Sequence, residues 1–249
     1  AGKNVTIKFG GSAMGRDKLS SSFAKDIVLL KQVGINPIVV HGGGPRIGKM
    51  LKKLKVKSSF IDGLRVTDKE TMDIVEMVLS GSINKEIVME INKEGGRAIG
   101  LSGKDALLTE TKKFKKKKSS GEVEKFLDLG FVGLPNKINT DFLKWCIQSD
   151  FIPVISPIGY GKNYETFNIN ADTMAGAVSA SVLSERLILL TDVNGVLDKN
   201  GNLLTQIKLN EIKNLIKNGT ISGGMIPKVE TCVEAVRNGV KAAVILDGK

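Results

Sequence analysis

The sequence has 249 residues, of which 41% are hydrophobic and 25% are charged, and it carries a net charge of +11 with a single histidine. This length can bury a large core in one or two domains without disulfides or a structural metal, and the composition excludes a wholly disordered protein. One histidine argues against His-based metal sites and catalytic triads. The two cysteines lack the paired spacing of a disulfide framework or a zinc site. No apolar run approaches the ~20 residues of a membrane span. We therefore predict a cytoplasmic protein.

Strands and helices alternate from the first residues, as the hydrophobic spacing indicates. The predicted elements, in chain order, are a strand at 5–9, a helix at 17–33, a strand at 37–40, helices at about 45–54, 68–79 and 82–94, antiparallel strands within 97–130, a helix at 139–149, a strand at 153–157, a helix at 171–184, a strand at 187–190, helices at 208–217 and 227–238, and a strand at 242–246. Short apolar strands separated by helices predict a parallel sheet with helices on both faces, an α/β fold. No repeat or linker divides the chain, so we expect any boundary near 160–168 to be a hinge within one continuous sheet.

Much of the positive charge lies in one stretch, residues 112–118, where six of seven residues are lysine. Such charge suits nucleic acid, an anionic membrane or anionic small molecules. Grooves for single-stranded nucleic acid interleave several stacking aromatics with the charge, and Phe114 is alone here. A solvated hairpin tip, remote from the ligand-binding turns and dispensable for catalysis, is therefore favoured over a nucleic-acid site.

The first of four candidate ligand-binding turns follows the first strand. Lys8 lies near the carboxyl end of that strand, where open α/β sheets bind ligands, and Gly10 and Gly11 allow the backbone to approach a phosphate. A buried lysine needs an anionic partner, but the side chain could equally reach solvent past the end of the strand. Both interpretations stay open from these residues alone.

The second turn, residues 41–45, places three glycines between a strand and a helix that begins with Pro45. Its N–H groups and helix dipole suit a carboxylate or phosphate, and we favour anion binding over a turn without a ligand. The spacing matches neither a P-loop nor a dinucleotide-binding fingerprint. His41 could be a hydrogen-bonded core residue, and nothing around it indicates a catalytic base.

The third turn precedes the helix at 171–184. Asn168 and Asn170 alternate along an extended segment, so their amides share one side. Asp172 falls in the first helical turn, where a carboxylate often caps the helix or complements its dipole, and taken alone it is best interpreted in that way. Gly176 and the neighbouring alanines would let this helix approach the sheet or a ligand closely.

The fourth turn, residues 223–228, has two glycines before a helix with Pro227 in its first turn, and it suits a second anion. Lys228 would be unfavourable beside the positive end of that helix unless an anion lies between them. Residues 191–196 follow a strand and could form a ligand-binding loop, although Asn194-Gly195 also fits an ordinary turn.

Together these turns resemble those of the amino-acid kinase family, and within it the members that act on N-acetyl-L-glutamate. The resemblance covers essentially the whole chain and is carried by the segments 8–14, 41–45, 63–68, 100–105, 168–172 and 223–228. It implies the carbamate kinase-like fold, a three-layer αβα sandwich with a mainly parallel central sheet. It also implies an amino-terminal lobe, 1–166, for acyl-amino-acid binding and dimerisation, and a nucleotide-binding lobe, 167–249.

The reaction implied by the resemblance transfers the γ-phosphoryl group of ATP, accompanied by Mg²⁺, to the γ-carboxylate of N-acetyl-L-glutamate, the second step of arginine biosynthesis. The implied catalytic residues are Lys8, Lys228 and Asp172, without a protein metal site. The residues implied for the acceptor are Gly43, Gly44, Arg65, Asn168 and Asn170. Those implied for the nucleotide are Gly10, Gly11, Ser12, Thr191, Asp192, Gly195, Val196, Gly223, Gly224 and Met225.

Two alternatives remain, a related kinase for another amino acid, such as an aminoadipate derivative of lysine synthesis, and a non-catalytic regulatory or nucleic-acid-binding member. The chain departs from the family in having Phe9 where many members have tyrosine, and in ending at Lys249. The early end predicts either that the given sequence lacks a carboxyl-terminal part or that the nucleotide lobe is incomplete. Arginine-sensitive members of the family carry an extra amino-terminal helix and further carboxyl-terminal structure. This sequence begins shortly before its first strand and ends at Lys249, so we expect a homodimer that arginine does not inhibit.

Overall fold

The computed structural model describes residues 2–10, 17–61, 63–118 and 125–248. Its strands are β1 (Asn4–Phe9), β2 (Asn36–His41), β3 (Phe60–Ile61), β4 (Leu64–Arg65), β5 (Ala98–Ser102), β6 (Thr109–Lys113), β7 (Lys116–Lys118), β8 (Lys125–Leu127), β9 (Val132–Ile138), β10 (Ile152–Ser156), β11 (Ile158–Tyr160), β12 (Thr166–Ile169), β13 (Arg186–Thr191) and β14 (Ala242–Asp247). Its α-helices are α1 (Asp17–Gln32), α2 (Gly44–Lys53), α3 (Lys69–Glu76), α4 (Asn84–Lys93), α5 (Thr140–Gln148), α6 (Ala171–Ser181), α7 (Ile212–Lys217) and α8 (Met225–Arg237). None of these helices is both long enough and apolar enough to cross a membrane.

A six-stranded parallel sheet, in the order β14-β13-β1-β2-β10-β5, forms the centre of the molecule. Successive residues of β2 face two different cores. Val39 packs with residues of α1, α3 and α4, whereas Ile38 and Val40 pack with residues of α5, α6 and α8. Because side chains alternate along a strand, these two cores lie on opposite faces of the sheet. The predicted three-layer αβα sandwich with a mainly parallel sheet is confirmed.

A small barrel, β11-β12-β9-β6, stands beside the main sheet, and part of it corrects the sequence analysis. Antiparallel strands were expected throughout 97–130. Instead β5 pairs in parallel with β10 at the edge of the main sheet, while β6 pairs antiparallel with β9 and β7 pairs antiparallel with β8. The spacing of apolar residues identifies a short segment as a strand but does not specify which strand it pairs with. The sequence therefore could not assign β5 to the main sheet.

The helices predicted at 68–79 and 82–94 form one continuous helical segment. A π-helical stretch, Met77–Ile83, joins α3 directly to α4. The sequence suggests a break because Gly81 lowers helix propensity. Leu79 and Ile83 are nevertheless buried in the core, so tertiary packing keeps the segment helical. Such π-helical turns are frequent at functional sites.

The strand order reverses at β1. The connection through α1 leads to β2 on one side of β1, while β13 and β14 lie on the other side. Open α/β sheets bind ligands at the carboxyl ends of the strands beside such a reversal. Lys8, the penultimate residue of β1, lies opposite Val40 of β2 and Leu189 of β13, and it is therefore at this point.

Candidate active site

Two lysines from distant parts of the chain meet on one carboxylate. Lys8 Nζ lies 2.9 Å from Asp172 Oδ1 as an ion pair, and Lys228 Nζ donates a hydrogen bond to Asp172 Oδ2 at 2.7 Å. Lys8 and Asp172 are both buried. The interpretation of Lys8 as a lysine that reaches solvent is therefore wrong, because its buried ammonium has an anionic partner.

Asn170 leaves Asp172 free for this pairing. The Asn170 side-chain oxygen caps α6 by accepting hydrogen bonds from the backbone N–H groups of Asp172 at 2.9 Å and Thr173 at 3.2 Å. With the cap supplied by its neighbour, the Asp172 carboxylate can point to the lysines rather than to the helix end. The capping role considered for Asp172 from sequence therefore belongs to Asn170.

A close helix contact holds the two halves of the ion-pair cluster together. A Cβ atom on Gly176 would come within 2.9 Å of Thr231 Cγ2, so the absence of a side chain lets α6 and α8 approach each other. Gly176 lies one helical turn after Asp172, and Thr231 lies one turn after Lys228. The contact thus brings the amino-terminal turns of the two helices, and the charges that they carry, side by side.

The two ammonium groups keep Asp172 ionised. Burial raises the pKa of the Asp172 carboxyl, but the charges of Lys8 and Lys228 act in the opposite direction, and the net shift is downward. One carboxylate shared by two ammonium groups leaves one positive charge in excess. The cluster is therefore built to receive an anion.

A cleft of about 330 Å³ opens beside this cluster. Its lining residues are Lys8, Gly42, Gly43, Gly44, Pro45, Ile47, Phe60, Gly63, Leu64, Arg65, Leu79, Val132, Pro157, Asn168, Ile169, Asn170, Ala171 and Asp172. The structure thus brings together the second and third turns identified in the sequence, the lysine of the first turn and the arginine of the segment 63–68. The lining combines charged, amide and apolar side chains, as suits a small amino-acid derivative.

The glycine turn forms one wall of the cleft. The N–H of Gly42 donates to the carbonyl of Phe9 at 2.9 Å, and α2 begins at Gly44. A Cβ atom on Gly43 would lie 2.5 Å from Ile83 Cδ1 and 2.6 Å from Leu79 Cδ2, so the π-helical segment packs directly against this backbone. The first N–H groups of α2 have no acceptor within the helix and can serve an anion.

Arg65 also lines the cleft. Its guanidinium stacks 4.4 Å from the ring centre of Phe60, donates to the carbonyl of Gly44 at 3.2 Å and also donates to Ser58 Oγ. Burial lowers its pKa, yet an arginine remains protonated in a protein. No carboxylate among the described residues pairs with it. Sequence reasoning missed Ser58 and Phe60. An aromatic residue five positions before the arginine was a possible signal for Phe60, and the sequence contains no signal for Ser58.

The other predicted acceptor residues differ in their available groups. Asn168 lines the cleft and donates from its amide to Thr67 Oγ1 at 3.3 Å, so its side-chain oxygen can still bind a ligand. The oxygen of Asn170 is used by the helix cap, which leaves its NH₂ group for a ligand. Gly43 and Gly44 present only backbone groups to the cleft.

The residues predicted to bind the nucleotide do not line this cleft where the structure describes them. Gly10 approaches β13 closely, since a Cβ there would lie 2.9 Å from the Leu190 carbonyl oxygen. Thr191 ends β13, followed by Asp192 and by Gly195 at a φ of 135°. Val196 and Met225 pack in a third apolar cluster, and Gly223 and Gly224 precede α8. Gly11 and Ser12 lie outside the described residues.

The departure at Phe9 has a packing explanation. Phe9 is buried and stacks on Phe23 of α1 with 4.0 Å between ring centres and 5° between ring planes. This environment is apolar and suits a phenyl ring without a hydroxyl group.

The comparisons with known proteins assign this αβα fold to a class of phosphotransferases. The sequence model of the Amino acid kinase family matches residues 3–247, and the chain belongs to this family. The chain is 58% identical over 251 residues to a protein of Rhodospirillum rubrum named acetylglutamate kinase, which covers 100% of this chain and 81% of that protein.

Solved structures give the same fold. A crystal structure from Streptococcus mutans superposes with a TM-score of 0.84 at 30% identity and covers 98% of this chain and 94% of that one. Carbamate kinase from Giardia lamblia superposes with a TM-score of 0.70 at 18% identity and covers 100% of this chain and 94% of that one. This likeness confirms the expected carbamate kinase-like fold.

Proposed function

We propose that this protein transfers the γ-phosphoryl group of ATP to the γ-carboxylate of N-acetyl-L-glutamate, a step of arginine biosynthesis. The observation that carries the proposal is the cluster Lys8–Asp172–Lys228 beside a cleft that is also lined by Arg65, whose guanidinium pairs with no carboxylate among the described residues. A dicarboxylic acyl amino acid needs a cation for each of its two charged ends. The high identity to proteins named acetylglutamate kinase supports this choice of acceptor.

The chemistry needs positive charge rather than a base. A carboxylate acceptor is already ionised at neutral pH, so no group has to remove a proton. Neither His41 nor Cys232 is suited to act as a base. Burial lowers the pKa of His41 to about 4. Burial and, to a smaller extent, the charge of Asp172 raise the pKa of the Cys232 thiol to about 12. The barrier is the approach of one anion to another, which alignment and cations can lower.

Each residue then has a role that its geometry supports. Lys8 and Lys228 neutralise the transferring phosphoryl group, and Asp172 is a positioning residue that orients both ammonium groups. Gly44 and its neighbours provide N–H donors to phosphoryl oxygens at the start of α2. Arg65 binds the α-carboxylate of the acceptor through two parallel hydrogen bonds, a task for which lysine is a poor replacement.

We also propose that the nucleotide is MgATP. The described residues contain no group of three or more His, Cys, Asp or Glu side chains that could hold a metal ion. Mg²⁺ commonly binds through substrate phosphates and water, and here it would arrive with ATP. The lobe up to residue 166 would bind the acceptor and the lobe from residue 167 the nucleotide. We further propose that the enzyme acts in the cytoplasm and as a homodimer.

The decisive experiment measures ADP release with and without N-acetyl-L-glutamate. Acyl phosphates react with hydroxylamine, so the same mixture should yield the hydroxamate of N-acetylglutamate only when both substrates are present. N-acetylaspartate, glutamate and N-acetyl-aminoadipate serve as matched acceptors. Turnover that prefers the aminoadipate derivative would assign the protein to lysine synthesis instead, and ADP release independent of every acceptor would contradict the proposal.

A further inference from the structure

The single histidine of the chain is fully buried at the end of β2 and takes no part in the chemistry derived above. Its Nδ1 lies 2.9 Å from the carbonyl oxygen of Gly42, and its Nε2 lies 3.2 Å from Nδ2 of Asn84. Asn84 is the first residue of α4, directly after the π-helical segment. The imidazole therefore links the core of the amino-terminal half to the first glycine of the cleft wall.

The neighbours of Asn84 determine which ring nitrogen carries the proton. Nδ2 of Asn84 lies 2.8 Å from the carbonyl oxygen of Val154, which can only accept, and Oδ1 lies 3.2 Å from Nζ of Lys85, which can only donate. The amide nitrogen thus faces the histidine, and His41 Nε2 must accept its hydrogen. In a neutral ring Nδ1 is then the donor, and it donates to the Gly42 carbonyl.

The Gly42 carbonyl in turn fixes the next peptide group. All described peptide bonds are trans, and in a planar trans peptide the C=O and the following N–H point in opposite directions. With its carbonyl held toward the buried imidazole, this peptide directs the Gly43 N–H away from the imidazole, and Gly43 itself lines the cleft. A glycine has many accessible backbone conformations, so such a restraint has a large effect here.

We propose that His41 is a positioning residue that presents the Gly43 N–H to the anionic substrates through its Nδ1–H bond to Gly42. This role rests on the proposed function and extends it, because it makes a buried side chain responsible for a backbone donor of the site. Burial lowers the pKa of His41 to about 4, so the ring stays neutral and keeps this polarity near neutral pH. A charged ring would direct a second N–H at the amide donor of Asn84.

Two amide substitutions separate the two ring nitrogens. The NH₂ group of asparagine can occupy the position of Nδ1, and the side-chain oxygen of glutamine can occupy the position of Nε2 and accept from Asn84. His41→Asn therefore retains a donor for Gly42, whereas His41→Gln retains only the contact with Asn84. Both replace the ring with a neutral amide, and glutamine is longer by one methylene group. We expect His41→Gln to lose about 100-fold in kcat, the lower end of the range for loss of a transition-state donor, and His41→Asn to recover most of that loss.

Substrate affinity and folding provide the controls. KM should change less than kcat in His41→Gln if the N–H acts mainly on the transferring phosphoryl group. Thermal unfolding of the two variants should be similar, so a difference in kcat between them is not a difference in folded fraction. Equal kcat values for the two variants, whether high or low, would overturn the positioning role.

A second measurement needs no substrate. Because the chain has one histidine, the imidazole nitrogens of ¹⁵N-labelled protein give signals from His41 alone. We expect Nδ1 in the protonated form and Nε2 in the unprotonated form at neutral pH, and the reverse would overturn the proposal. A wild-type protein without acetylglutamate-dependent turnover would overturn the proposed function and this role with it. An active wild type with the wrong tautomer would overturn this role alone.

Discussion

Asp172 is the residue on which the site depends most, because it offsets the cost of burying Lys8. An unpaired ammonium in the core would cost several kcal/mol, and the carboxylate removes that cost while leaving net positive charge. The same carboxylate fixes Lys228 from the other side. Catalytic cations that are held before substrate binds need no reorganisation during the reaction.

Substitution of either lysine should therefore affect the chemical step. We expect Lys8→Arg, which displaces the charge, and Lys228→Ala, which removes it, each to reduce kcat by ~10²–10³-fold, because the transition state then lacks a preorganised cation. Steady-state kinetics in both substrates would measure this. A raised KM with unchanged kcat would instead mean that the lysines bind the ground state only.

The role of Arg65 can be separated from that of the lysines. Arg65→Lys should weaken binding of N-acetyl-L-glutamate far more than binding of ATP, because only the acceptor carboxylate loses the planar pair of donors. Isothermal titration with each ligand would show the difference. An equal loss for both ligands would point to a folding defect around the Phe60 contact.

His41 should make the stability of the protein depend on pH. Its pKa falls from 6.5 in the unfolded chain to about 4 in the fold, so the unfolded state gains a proton first as the pH decreases. Stability that is complete above pH 6.5 should decline between pH 6.5 and 4, by on the order of 3 kcal/mol for this shift. The free energy of unfolding in urea should therefore decline less with falling pH in His41→Asn than in the wild type. An equal decline in the two proteins would show that His41 is not the group responsible.

At the scale of elements, the sequence predicts the turns better than their surroundings. Glycines and prolines punctuate strand ends directly, so the turns at 41–45 and 223–228 and the helices after them are evident. The parallel sheet and most helices also follow from periodicity. In contrast, β11 and β12 were missed, because three- and four-residue strands rich in glycine and polar residues carry no clear period.

The same limit applies to the site. Lys8, Asp172 and Lys228 were identified through family resemblance, and the residues alone favoured a cap for Asp172. What decides the matter is the Gly176–Thr231 contact between α6 and α8, which joins positions far apart in the sequence. The bond between His41 and Asn84 is likewise a product of tertiary packing, since no local pattern connects the two residues.

The lysine-rich segment lies closer to the site than its sequence position indicates. Phe114 and Lys115 line a cavity of about 420 Å³ together with Gly63, Asn170 and Pro227. Lys113 pairs with Asp128 at 2.9 Å. The base of the β7–β8 hairpin thus stands beside the cleft, with which this cavity shares Gly63 and Asn170.

We still expect the run to be dispensable for the chemical step. Replacing the lysines of 112–118 with glutamine should leave kcat and kcat/KM within a few-fold, because the charges at the reacting group come from Lys8 and Lys228. Assays at low and high salt would show any remaining long-range attraction of the anionic substrates. A loss of kcat beyond tenfold would assign this hairpin to the active site.

At the scale of the whole molecule, one helical layer offers a surface for the proposed dimer. Met77 and Met89, on the continuous segment that includes α4, are 60% and 55% exposed. Light scattering should give the mass of two protomers, and Met77→Glu with Met89→Glu should give one, because buried apolar contacts would be replaced by charge. Trp145→Glu on the opposite layer, where the indole is 54% exposed, is the matched control and should remain dimeric.

A wild-type protein that is monomeric would contradict the dimer proposal. A dimer that persists in the double methionine variant but dissociates in Trp145→Glu would move the interface to the other face of the sheet. Activity measured in parallel would show whether the cleft, which one protomer forms by itself among the described residues, depends on association.

The position of β1 in the sheet has a consequence for synthesis of the protein. β1 pairs with β2 close by in sequence, but its other neighbour is β13, with Lys8 opposite Leu189 about 180 residues later. At roughly 5–20 residues per second, a ribosome needs roughly 10 to 40 seconds to make that intervening chain. During this time the nascent amino-terminal half exposes one unpaired edge of its central strand, and a lysine on an open edge discourages pairing with other chains. We therefore expect Lys8, beyond the catalytic role proposed for it, to disfavour aggregation of the unfinished sheet.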